Sequence, residues 1–291
     1  MRYSIGIDIG GTKIDGILAN EKGKILKRYR IKTQANKSKK EIINNIIKVI
    51  KKLKTRKIEG IGIGIAGVID KRGKILFDPN IKNLEGINII KELKKKLNHK
   101  FYITNDANCF ALAESKFGAG KKAKNIVGVT FGTGIGNGII INKKLYVGTH
   151  GGAGEFGHSI INPKGLRCKC GLRGDFESFC SGPAIVKRYY KAGGKIKNAD
   201  PKNIFNSNDK IAKKVMKETY EYLGMGLANI VNALDPDLIV LGGSVSNLNF
   251  YKEVNKAVRK YANKGVAKKV KIVKHKLMDS GALGAAAFVF Q

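Results

Sequence analysis

Ile5-Gly6-Ile7-Asp8-Ile9-Gly10-Gly11-Thr12-Lys13-Ile14-Asp15-Gly16-Ile17 aligns without gaps to Val127-Gly128-Val129-Thr130-Phe131-Gly132-Thr133-Gly134-Ile135-Gly136-Asn137-Gly138-Ile139, at an offset of 122 residues. Glycines coincide at 6 and 128, 10 and 132, and 16 and 138. Each stretch reads as strand, glycine turn, strand, because runs of Ile and Val bracket a Gly/Thr cluster. A weaker echo links residues 61–68 to 239–245, an apolar strand that ends in a glycine turn. Two copies of one supersecondary unit imply two similar domains.

Working outward, residues 4–9 and 13–19 are expected as strands around the first turn, and 24–31 as a third. Residues 41–53 have helical spacing, 60–66 read as a buried strand, 88–97 as a helix and 101–104 as a short strand leading into a helix from Ala107. This alternation predicts an α/β fold with mixed sheets. The second copy is enlarged by an insertion around 148–182 and completed by helical segments at 209–233 and 250–261. The final run, 281–290, is expected to pack back on the first domain. The expected division is therefore 1–106 with 276–291, followed by 107–275.

At 291 residues with 43% hydrophobic side chains, the chain can bury a sizeable core, and five prolines argue against disorder. No signal peptide precedes the first strand, and Asp235 and Asp237 interrupt the longest apolar region. The expectation is a soluble cytoplasmic protein without membrane contact. The formal charge of +34 is extreme. It is carried mostly by lysines in helix-like runs, with no aromatic-interleaved basic motif or recognition helix, so it reads as solvated faces rather than a specific nucleic-acid surface. Four cysteines are too few for a disulfide framework. Cys168 and Cys170 are too close for an ordinary disulfide and suggest a metal; Cys109 reads as inert core.

Two homologous glycine turns carry the first chemical signal. Gly10, Gly11 and Thr12, and likewise Gly132, Thr133, Gly134 and Gly136, leave backbone N–H groups uncovered in a nest suited to phosphate oxygens. Asp8, at a strand end before the first turn, suits the water shell of Mg²⁺. A third turn, Gly242-Gly243-Ser244, follows a very apolar strand and suits the adenosine. Asp106 stands between a strand and a helix, where the helix dipole favours negative charge. Such an Asp is either a general base or an ordinary N-cap.

Asp8-Ile9-Gly10-Gly11-Thr12-Lys13, Asn105-Asp106, Gly154-Glu155-Phe156-Gly157-His158 and Cys168-Lys169-Cys170-Gly171-Leu172-Arg173-Gly174 together resemble the signature set of the ROK family of repressors and sugar kinases. The likeness runs nearly end to end, in the family's order. It implies two ribonuclease-H-like domains of the actin-like ATPase fold, with mixed sheets flanking a central cleft that takes sugar and ATP. It further implies that the turns at 10–13 and 132–138 hold the phosphates of Mg·ATP and that Asp106 is the catalytic base. Glu155, His158 and Glu177 match the family's hydroxyl-binding trio, with Asn80 and Asn105 adding sugar contacts. Glucose is the expected acceptor; fructose, mannose and N-acetylated hexosamines are the alternatives. A homodimer is implied as well.

The resemblance breaks at one position. The family's zinc loop supplies one histidine and three cysteines, and here the third cysteine position is Asp175. His158, Cys168, Cys170 and Asp175 can form a zinc site, since Asp ligates through oxygen. A weakened site and an abandoned one stay open. Cys180 is expected inside the following helix and is a poor replacement. A sugar-responsive regulator is the competing class. Only seven residues precede Asp8, too few for the DNA-binding domain of the family's repressors, which favours the kinase.

Overall fold

The two aligned stretches open two five-stranded sheets with one shared strand order. A computed structural model describes residues 1–70 and 72–291. The first sheet contains β1 (Tyr3–Ile9), β2 (Lys13–Asn20), β3 (Ile25–Lys32), β4 (Ile61–Ile65) and β7 (Phe101–Asn105), in the order β3-β2-β1-β4-β7. A separate hairpin joins β5 (Val68–Ile69) to β6 (Ile75–Phe77). The second sheet contains β8 (Ile126–Phe131), β9 (Ile135–Ile141), β10 (Lys144–Tyr146), β11 (Leu238–Gly242) and β12 (Lys271–Lys274), in the order β10-β9-β8-β11-β12. In the first, β1 is antiparallel to β2 and parallel to β4, and β4 is parallel to β7. In the second, β11 is parallel to both β8 and β12. The repeat read from the glycines is thus a repeat of topology.

The helices are α1 (Lys39–Leu53), α2 (Ile89–Lys94), α3 (Asp106–Phe117), α4 (Phe176–Cys180), α5 (Gly182–Lys191), α6 (Pro201–Asn206), α7 (Lys210–Leu234), α8 (Tyr251–Tyr261) and α9 (Ser280–Phe288). Among the described residues, none is long and apolar enough to cross a membrane. The first shows why its segment folds: Ser38 and Glu41 close a capping box, and Ile42, Ile46, Val49, Ile50 and Leu53 bury one face. Lys48, Lys51 and Lys52 occupy the exposed face, as the solvated-charge reading requires.

Contacts divide the chain into two compact units, Met1–Lys124 with Gly138–Ala153 and Lys276–Gln291, and Asn125–Asn137 with Gly154–His275. The first unit therefore includes α3, beyond the boundary read at 106/107. The cause is α9, which lies on the first sheet and against α3. Gly6 and Gly62 are cross-strand partners, and a Cβ on either would strike the α9 backbone at Ala282 or Ala285. Ser4 Oγ donates to the Ala286 carbonyl at 2.8 Å. On the other side of α9, Gly284 meets the Cys109 backbone too closely for any side chain.

Parallel pairing also fixes where chemistry emerges. Ile9, Ile65 and Asn105 are in register across β1, β4 and β7. The 10–13 turn, Gly67 and Asp106 therefore leave the sheet at one edge, the carboxyl ends of the strands, where α/β proteins place their ligands.

Candidate functional site

In the first unit, Asn105 is the N-cap of α3; its side chain accepts from the Asn108 N–H at 2.7 Å. The capping alternative for Asp106 is thereby answered. Asp106 is the first helical residue, and its Oδ1 accepts from the Ala107 N–H at 2.8 Å. Solvent reaches the residue, yet the protein crowded around the carboxyl pushes it above its usual range. The Ala107 hydrogen bond opposes this and the charge of Asp78 adds to it. Asp8 is half-buried. Burial first, then the charges of Asp106 and Asp15, raise its carboxyl to about 6, against the pull of Lys13 and Arg30. Such a carboxylate lacks a full counter-charge, and a hydrated divalent cation would supply one.

The first glycine turn is braced from behind. Gly10 N–H donates to the Lys13 carbonyl at 3.0 Å, and Thr33, fully buried, donates from Oγ1 to the Gly10 carbonyl at 2.5 Å. Thr12 and Lys13 stand exposed at the tip. Lys13 shares a polar recess of about 200 Å³ with Asp8, Asp15, Arg28, Arg30 and Asp279. Asn80 lies under the same turn, since a Cβ on Gly11 would come within 3.1 Å of the Asn80 Cβ.

In the second unit, the turn from Gly132 to Gly136 follows β8. Gly132 N–H donates to the Gly134 carbonyl at 3.0 Å, and Gly182 N–H at the start of α5 donates to the Gly132 carbonyl at 2.9 Å. Gly243, with φ 82°, meets the Phe131 backbone too closely for a side chain. The Gly242-Gly243 turn and the Gly132-Thr133-Gly134 turn thus meet at the carboxyl ends of β8 and β11. Glu177 Oε2 accepts from the Ile135 N–H at 2.7 Å, which ties α4 to this turn.

Glu155 and His158 come together, with His158 Nε2 3.8 Å from Glu155 Oε2. The opposite ring nitrogen, Nδ1, lies 3.0 Å from Asp175 Oδ2. His158 therefore links the Glu155 turn to the cysteine loop. Ligand atoms of His158, Cys168, Cys170 and Asp175 all lie within 4.8 Å of one another. Asp175 is fully buried and divides its work: Oδ1 accepts from the Ser178 N–H at 2.9 Å as N-cap of α4, and Oδ2 faces His158 and the Cys170 Sγ at 3.5 Å. Burial alone would raise its carboxyl; hydrogen bonds from Cys168, His158 and Ser178 outweigh that and hold it low. One imidazole, two sulfurs and a carboxylate oxygen at this spacing suit tetrahedral zinc. Cys180 lies inside α4, fully buried and outside the cluster. Cys109 is fully buried as well, and burial pushes its thiol far up.

The sequence profile of the ROK family matches residues 4–291. The chain belongs to the ROK family. It is 32% identical over 305 residues to a glucokinase of Thermotoga maritima, covering 98% of this chain and 96% of that one. An N-acetyl-D-glucosamine kinase of Histophilus somni is 33% identical over 301 residues, covering 98% of each. A xylose repressor of Bacillus subtilis is 37% identical over 248 residues, covering 84% of this chain and 64% of the repressor. A solved structure of a ROK family glucokinase from Streptomyces griseus, in complex with glucose and AMPPNP, matches with a TM-score of 0.80 at 30% identity over 98% of each chain. The mixed α/β architecture is accordingly that of the actin-like ATPases.

Reading the sequence missed three supports of the site. Thr33 braces the first turn, Asp78 sits beneath Asn80, and Asn108 is buried on α3 with its Nδ2 donating to Thr104 Oγ1 at 3.0 Å. None carries a motif signal; Asp78 alone lies close in sequence to an expected site residue, two positions before Asn80.

Proposed function

We propose that this ROK protein transfers the γ-phosphoryl group of ATP to a hydroxyl of a free hexose, with glucose as the preferred acceptor. The observation that carries the reading is the Asp106 carboxylate: solvent-reachable, avid for a proton, and at the same strand ends as Asp8 and the first glycine turn. As the sugar oxygen attacks the γ-phosphorus, its proton passes to Asp106, the bond from the γ-phosphorus to the bridging oxygen breaks, and ADP leaves. Glycine turns that bare their N–H groups, at 10–13 and 132–136, suit the phosphates, with Gly242 and Gly243 beside the adenosine. Asp8 would hold the water shell of Mg²⁺, which neutralises phosphate charge when bound. Asn80, Asn105, Glu155, His158 and Glu177 are assigned to the sugar hydroxyls, where a misplaced hydroxyl leaves buried groups unsatisfied.

Zinc at His158, Cys168, Cys170 and Asp175 has a structural role in this reading. It orders the loop between Glu155 and Glu177 and so acts on sugar affinity rather than on the chemical step. A coupled assay of ADP release over glucose, mannose, fructose and N-acetylglucosamine tests the activity and the acceptor together. Turnover with glucose well above the others is expected. ADP release with none of them would sink the kinase reading. Similarity to xylose repressors supports the second reading, a sugar-responsive regulator, and sugar-dependent retardation of operator DNA without ADP release would establish it.

A further inference from the structure

The turn that carries Asn80 contains a carboxylate that none of these roles employs. Asp78 is fully buried. Its Oδ1 accepts from the Asn80 N–H at 2.8 Å and the Ile81 N–H at 2.9 Å. Its own N–H donates to Glu85 Oε1 at 3.1 Å, bringing a second carboxylate alongside rather than a cation. The remaining oxygen, Oδ2, is buried and has no hydrogen-bond partner among the described residues. A buried acceptor left open is destabilising. An asparagine would make the same turn through Oδ1 without burying a charge. The turn alone therefore does not account for an aspartate here.

Its surroundings show what it can act on. Gly67, with φ 94°, lies so close to the Phe77 carbonyl that no side chain fits, which clamps the turn from one side. On the other, the 10–13 turn approaches Asn80 at Gly11. Asp78 thus holds the residue on which the first glycine turn rests. Its charge also reaches Asp106.

We infer that Asp78 is a positioning residue for phosphoryl transfer: Oδ1 fixes Asn80 beside the first glycine turn, and the charge of the carboxylate acts on Asp106. The inference rests on the reading of Asp106 as the base. Asp78 touches no reacting atom. Asp106 is faced by Asp8 from β1, by Asp78 from the turn and by Cys109 from its own helix; Asp78 is faced by Glu85. All are acidic groups, so removing one negative charge should ease ionisation of the base.

Two variants separate the two actions. Asp78→Asn keeps the Oδ1 acceptor and removes the charge; Asp78→Ala removes both. Asp78→Asn should leave the KM for sugar within about twofold of wild type and move the acid limb of kcat/KM to lower pH. Asp78→Ala should raise that KM roughly tenfold or more, as loss of a buried hydrogen-bonding partner does. An unmoved acid limb in Asp78→Asn, or an unchanged KM in Asp78→Ala, overturns the inference. Should Asp78→Ala fail to fold, the pH profile of Asp78→Asn decides alone. An Asp106→Asn variant that keeps more than about a tenth of wild-type kcat overturns the base assignment itself and the charge effect with it, while the KM comparison still tests the hold on Asn80.

Discussion

Asp106 and Asp175 are the same residue type in nearly the same local setting, each at the entry to a helix. Asp175 is the N-cap of α4 and Asp106 the first residue of α3. Their chemistry diverges because of what surrounds them. Asp175 is fully buried among donors: the Ser178 N–H, the His158 ring and the cysteine thiols. Its charge is satisfied, and its carboxyl is held low. Asp106 is open to solvent on one side, accepts a backbone bond from the Ala107 N–H, and faces Asp78 and Asp8. Its carboxyl is pushed up. A satisfied carboxylate caps and ligates; an unsatisfied one takes protons.

The sharpest way to break this contrast is the substitution to Asn at each position. Asp106→Asn should retain the fold, because Asn105 supplies the cap, and lower kcat by about 10²–10⁴-fold, the usual range for loss of a general base. Steady-state kinetics at saturating glucose measure it. A variant with more than about a tenth of wild-type kcat removes Asp106 from the role. Asp175→Asn, in contrast, should leave kcat nearly unchanged.

A second experiment concerns the metal. Zinc should co-purify at close to one atom per chain, and chelation should raise the KM for sugar by roughly tenfold, an effect of about 1.4 kcal/mol. Carboxylate is a harder ligand than thiolate, so Asp175→Cys should retain zinc more tightly and Asp175→Asn should lose it. Elemental analysis after dialysis against chelator reads both. Wild-type protein that carries no zinc, even when refolded with it, leaves the loop held by packing alone.

Much of this was legible in the sequence, and the limits are instructive. The strands of the first sheet, with β8, β9 and β11 of the second, followed from apolar runs between glycine turns, because a strand's period and its punctuation are local; the short β10 and β12 were not read. The repeat at an offset of 122 anticipated the shared strand order. The cap was harder: Asn105 and Asp106 are both good cap residues, and only the bond to the Asn108 N–H decides between them. Asp78 could not be singled out, since its setting depends on Gly67 packing against the Phe77–Asp78 backbone and on Gly11 meeting Asn80. The same holds for Thr33, whose hydroxyl matters only because β3 delivers it behind the first turn.

The cap and the ligand can be separated within Asp175 itself, because its two oxygens do different things. In metal-free protein, Asp175→Cys loses the Oδ1 acceptor of the Ser178 N–H and should cost about 1 kcal/mol, the usual value of an N-cap. Asp175→Asn keeps that acceptor and should cost less. Denaturant titration in chelator compares them. Equal stability of the Cys and wild-type chains would show that α4 does not depend on its cap.

The smallest expected effect is a difference of sign. In the folded chain Asp106 holds its proton to higher pH than an unfolded Asp does, so its contribution favours the folded state below the ordinary carboxyl value. That contribution is lost as pH rises through the raised value. Asp175 behaves in the opposite way. Its carboxyl is held low, so its contribution is present above the ordinary value and is lost as pH falls through the lowered one. At neutral pH, Asp106→Asn should therefore stabilise the metal-free chain, by a margin that solvent screening keeps small. Asp175→Asn should destabilise it, because its hydrogen-bond donors lose a charged acceptor. Near pH 3.5, below the ordinary carboxyl value of about 3.9, the gain from Asp106→Asn should vanish. Unfolding free energies at the two pH values measure these three effects. Matching signs at neutral pH would mean that solvent compensates Asp106 as fully as protein donors compensate Asp175, and the reason for treating one as a base and the other as a cap and ligand would be gone.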